Sequence, residues 1–167
     1  MRHEKYSSIG RDLTSEIFEG KTYKTFRPIK SIAVHCSATP NNKSFDAKDI
    51  DRWHLERWGK NSGCGYHYVV LLDGTIEKGR WLDYPGAHVK NFNKDTIGIC
   101  YIGGLDKDGN VNMDSMTSQQ HNSLITLLSL LVDMYDLETS DVLGHKEYPN
   151  VNKACPCLTM DSIREEI

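Results

Sequence analysis

No apolar run in these 167 residues approaches the roughly 20 that cross a bilayer. The longest, residues 124–132, is broken by Thr126 and Ser129, so no membrane partner is expected. Positive charge is not in excess either. The formal net charge is −3, which gives a phosphate backbone little to bind and excludes nucleic acid as the main ligand. The opening Met-Arg-His-Glu-Lys has no apolar h-region behind it, so a Sec leader is excluded and cytoplasmic synthesis is expected. The five cysteines are an odd count without a regular framework. That excludes a disulfide scaffold and leaves a thiol free to ligate a metal. Internal repeats and low-complexity tracts are absent from the sequence.

What is present suits one globular domain with one core: 38% hydrophobic and 26% charged residues. Residues 1–28 are polar and mixed in charge and read as an N-terminal arm, with one helical turn near 13–18, ended by Pro28. Three fates are open to the arm: covering a groove, binding a partner, or disorder. Residues 29–167 read as the single domain. Ile32-Ala33-Val34-His35-Cys36 is a buried strand, with Ile32, Val34 and Cys36 on one face and Ala33 and His35 on the other. Thr39-Pro40-Asn41-Asn42 marks a loop. Ser44 or Asp46 caps a helix through Trp58. Residues 66–72 and 75–78 form a hairpin around Asp73-Gly74, which puts Tyr66 on the face of Tyr68 and Val70. Residues 96–102 are a further strand. Thr117 and Gln120 make a capping box ahead of a helix striped by Leu124, Leu128, Leu131 and Tyr135. Val142-Leu143 closes a short strand, and 161–167 is a C-terminal helix. The expected fold is α/β, a central mixed β-sheet flanked by helices.

His35 ends the first strand, His145 follows a short one, and Cys155 lies in Lys153-Ala154-Cys155-Pro156. Two imidazoles and a thiolate make a good zinc shell, and three protein ligands leave a fourth position for water. Spacing alone does not establish such a site, because His35 and His145 share no local motif.

The motifs around these residues, taken in order, resemble the zinc N-acetylmuramoyl-L-alanine amidases, which include short phage endolysins and animal peptidoglycan recognition proteins. They are Val34-His35-Cys36-Ser37-Ala38-Thr39, then Gly65-Tyr66-His67-Tyr68 with Asp73-Gly74-Thr75, then Gly86-Ala87-His88 with Asn91-Phe92-Asn93. Ile97-Gly98-Ile99-Cys100 with Gly103-Gly104, Gly144-His145-Lys146-Glu147 and Lys153-Ala154-Cys155-Pro156 complete the order. The resemblance runs from about Ile29 to Leu158, with the phage branch nearest. It implies one zinc ion held by His35, His145 and Cys155, with Tyr66 and Lys153 assisting catalysis. It implies His88 and Asn93 on the groove wall as substrate-binding residues. Lys153 would stabilise a tetrahedral oxyanion. Tyr66, near pKa 10, is a poor general base at neutral pH, so orientation of water or donation is favoured. Cys157 competes with Cys155, but only Cys155 is preceded by Lys-Ala and followed by Pro. His54 and His67 read as structural.

The implied activity is hydrolysis of the amide between N-acetylmuramic acid and L-alanine in peptidoglycan, by a monomer acting on the wall after release. Three rivals use the same scaffold: a muropeptide-binding module, a protein with a regulatory partner, and a zinc hydrolase for another amide. The first generally lacks the thiolate, so Cys155 discriminates against it.

Overall fold

A computed structural model describes residues 2–167; Met1 of the expected arm lies outside the described residues. The helices are α1 (Thr14–Phe18), α2 (Ala47–Trp58), α3 (Ser118–Met134) and α4 (Met160–Glu165). The strands are β1 (Ser31–Cys36), β2 (Thr39–Pro40), β3 (Tyr68–Val70), β4 (Ile76–Lys78), β5 (Thr96–Tyr101), β6 (Gly104–Leu105) and β7 (Val142–Gly144). The main sheet runs β4-β3-β5-β1-β7. All its pairings are parallel except the β3–β4 hairpin. The fold is therefore mixed α/β, with a central mixed sheet between helices.

Alternation sorts the side chains of this sheet between two layers. Ile32, Val34 and Cys36 of β1 join Ile97, Ile99 and Tyr101 of β5 against Leu124, Leu127, Leu128 and Leu131 of α3. Those leucines are fully buried, and each such burial stabilises the fold by about 1.5–3 kcal/mol. The opposite face sends Val69 and Cys100 against Ala47 and Ile50 of α2. His35 shares that second parity, at the carboxyl end of β1. Since β1 and β7 are parallel neighbours, their carboxyl ends lie side by side, which is where ligands bind in open α/β sheets.

Both long helices are capped from sequence. Asp46, rather than Ser44, caps α2 and exchanges bonds with Asp49. Thr117 and Gln120 do the same for α3. Two details depart from the periodicity. Regular pairing in β3 starts at Tyr68, so alternation does not reach back to Tyr66, which packs instead on the α2 side with Val69 and Cys100. Thr39 and Pro40, read as loop, pair with Gly104 and Leu105 in a small second sheet. The chain reaches it through Gly103 and Gly104, both at positive φ.

Residues 2–28 are folded onto the domain. Gly10 N–H and Leu13 N–H donate to Lys78 and Ile76 carbonyls, and Lys78 N–H donates to the Arg11 carbonyl. This segment therefore runs antiparallel along the outer edge of β4. Beyond it, α1 drops Ile17 into the core beside α3. Tyr6 is also buried, and Arg2 pairs with Asp51 at 2.6 Å. These few apolar side chains among polar neighbours anchor a segment whose composition alone left disorder open.

Candidate metal centre

His35 arrives on β1, His145 immediately follows β7, and Cys155 returns on the loop beyond. The return is closed by Lys146 N–H donating to the Cys155 carbonyl at 3.0 Å. Glu147 fixes the His145 turn by accepting from Gly144 N–H and pairing with Arg164 at 3.0 Å. As a result, one ligand atom from each of His35, His145 and Cys155 lies within 4.8 Å of the others. The two imidazole centroids are 4.6 Å apart, and Cys155 Sγ is 3.8 Å from His35 Nδ1. Cys36 N–H donates to Cys155 Sγ at 3.4 Å, which holds the sulfur toward the two imidazoles.

The protonation states suit coordination. Burial pushes His35 well below its ordinary value, aided by the charges of His145 and Lys153. Burial followed by Lys153 lowers His145 as well. Neutral imidazoles present bare nitrogens, and two nitrogens with one sulfur suit a borderline-soft divalent ion with an open fourth position.

Tyr66, His88, Asn93, His145 and Lys153 line one groove of about 390 Å³ over this cluster. The Tyr66 ring centroid is 5.0 Å from that of His35. Burial, reinforced by Cys100 and Cys155, raises its hydroxyl well above the ordinary tyrosine value, so it stays a phenol and a donor. Lys153 is solvent-exposed on the groove rim. The Asn93 side-chain oxygen is occupied by two backbone donors. It accepts from His88 N–H and Val89 N–H at 2.9 and 3.0 Å, folding the loop that carries His88. The His88 ring sits 2.9 Å from His35, Nδ1 to Nε2.

Sequence reasoning missed the α2 wall. His54, Arg57 and Trp58 line the groove, with Trp58 half exposed. His54 also has the structural part expected of it, since Gly65 N–H donates to its Nδ1 at 2.9 Å. The i, i+4 spacing of His54 and Trp58 was the available signal, but it does not say which way that helix face looks. His67 is buried and structural: Gly98 N–H donates to its Nδ1, and its Nε2 lies 2.9 Å from the Tyr84 carbonyl.

Comparison with known proteins adds an independent finding. The family model for N-acetylmuramoyl-L-alanine amidase matches residues 25–157, a span that contains every groove and cluster residue named above. The chain is 37% identical to an endolysin of Enterobacteria phage K11, over 76% of this chain and 80% of that protein. It is 35% identical to the endolysin of Escherichia phage T7, over 83% and 87%. Among solved structures it is similar to the endolysin amidase LysCS from Clostridium intestinale, with a TM-score of 0.69 and 29% identity over 84% of each chain.

Proposed function

The chain belongs to the N-acetylmuramoyl-L-alanine amidase family, and on that premise we propose that its groove hydrolyses the muramoyl–alanine amide of peptidoglycan at a zinc ion held by His35, His145 and Cys155. The activity is that of a phage endolysin, and peptidoglycan or a muropeptide is the bound substrate. The single observation that carries the metal reading is the convergence of two imidazoles and a thiolate, 4.8 Å across at most, beneath the groove. Zinc in such a site supplies a Lewis acid and a water acidic enough to react near neutral pH.

The remaining chemistry falls to the chain. Hydrolysis adds water to the lactyl carbonyl, develops negative charge on its oxygen, and requires a proton on the departing alanine nitrogen. Lys153, a cation on the rim, compensates the developing oxyanion. Tyr66, held as a phenol, donates to the same oxygen or orients the water; its raised affinity for the proton argues against a base. His88 and Asn93 shape the wall that receives the substrate. One copy of the chain supplies the whole set, so this reading needs no second subunit. We place the catalytic unit in residues 29–167, with 1–28 as its supporting arm, synthesis in the cytoplasm, and action on the wall after release.

Mass spectrometry of digested sacculi tests the reaction. Free stem peptides beginning with alanine are expected, their release stopping on chelation and resuming with added zinc. New reducing sugar ends in place of those peptides would refute the amidase reading.

A further inference from the structure

A metal-binding imidazole offers one bare nitrogen, and the partner of the other nitrogen decides which. Around His35 that decision is made by a chain of hydrogen bonds beginning at a backbone carbonyl. Thr96 Oγ1 donates to the Phe92 carbonyl at 2.9 Å, an oxygen that can only accept. With its one proton so committed, Thr96 can only accept from His88 Nε2, 3.3 Å away. Neutral His88 then carries its proton on Nε2 and is bare at Nδ1, which lies 2.9 Å from His35 Nε2. His35 must donate there. Its own bare nitrogen is Nδ1, the one that faces Cys155 Sγ at 3.8 Å.

We propose that His88 is a positioning residue of the metal centre: by accepting from His35 Nε2–H it fixes the tautomer and ring plane in which His35 Nδ1 meets the ion. The surroundings of His88 are built for this role. A Cβ on Gly86 would lie 2.4 Å from the His88 ring and one on Gly98 2.6 Å from it, so both positions must stay bare for the ring to fit. Asn93 holds the His88 backbone from below. Each of these features locates the imidazole relative to His35, and none depends on a substrate.

The inference rests on the metal reading of the proposed function, and the test separates the two. Zinc affinity is measured by chelator competition, and the cobalt-substituted proteins are compared by their visible spectra. The unaltered chain is set beside His88→Leu, which removes the acceptor, and His88→Asn, whose amide oxygen can replace Nδ1. His88→Leu is expected to bind zinc about 10–100-fold more weakly with an altered cobalt spectrum. His88→Asn should recover most of the affinity and the original spectrum. Should His88→Leu fail to fold, Thr96→Val removes the acceptor for His88 Nε2–H and should weaken zinc in the same direction. Unchanged affinity and spectrum in His88→Leu, or equal loss in His88→Leu and His88→Asn, would overturn the positioning role alone. An unaltered chain that takes up no zinc would overturn the metal reading and this inference with it.

Discussion

Cys155 and Cys157 flank a single proline yet face different surroundings. Cys155 Sγ receives Cys36 N–H and looks toward His35. Cys157 Sγ packs 3.8 Å from Cys36 Sγ, and burial pushes its thiol up to about 12. Cys155→Ala is therefore expected to lose both metal and activity. Cys157→Ala should keep both, at a stability cost of about 1 kcal/mol for the small cavity. Metal analysis of the two purified variants checks this, and retained zinc in Cys155→Ala would sink the assignment. The buried histidines make a second prediction, about pH. Burial lowers His67 to about 3 and His54 to about 4, whereas unfolded histidine titrates near 6.5. Below that value the unfolded chain binds more protons, so stability present above pH ~6.5 is lost as pH falls toward ~4. The slope approaches about 1.4 kcal/mol per pH unit for His67 and is smaller for His54, which solvent screens. Urea unfolding of metal-free protein at about pH 7 and about pH 5 measures it; equal midpoints would contradict the assigned protonation states.

At the scale of elements, Gln120 does two jobs that its motif announces only once. It closes the capping box of α3, and its fully buried side chain also donates to the Val70 and Ile102 carbonyls at 3.3 and 2.8 Å. The Val70 carbonyl keeps the Ile102 N–H as a donor, so Gln120→Leu should strand the Ile102 carbonyl and cost about 1–3 kcal/mol, read as a lowered urea midpoint with groove chemistry intact. The capping box was legible because helix ends follow local rules. The strand carrying His35 was legible because an apolar run with period-two sorting has few other fates. The convergence of His35, His145 and Cys155 was not, since no periodicity links residues on parallel neighbours; only the order of the motifs pointed to it. Tyr66 was assigned to the wrong face because sequence alternation cannot show that pairing begins at Tyr68. Asn93 lines the groove, and its spacing from His88 gave no hint that it also folds the loop that carries that histidine. The His88–His35 bond was equally hidden, being a meeting of two distant loop and strand ends.

The arm matters to the molecule as a whole. Its Ile17 is buried in the main core, and its backbone bonds to β4. Removing residues 1–24 should therefore destabilise the domain rather than merely trim it. Ile17→Ala alone is expected to cost about 2–5 kcal/mol. Thermal melting of the truncated and full chains checks both, and an unchanged midpoint after truncation would show the arm to be dispensable. The same backbone bonds carry a consequence for association. The outer rim of a sheet is a template on which other chains can add strands. Residues 10–13 occupy that rim at β4, and at the far side Arg164 donates to the Val142 carbonyl of β7 at 2.8 Å. The backbone bonds of residues 10–13 thus close the β4 rim to an added strand. A proteolytic cut near Gly20 that freed the arm should expose the β4 rim and raise the tendency to aggregate.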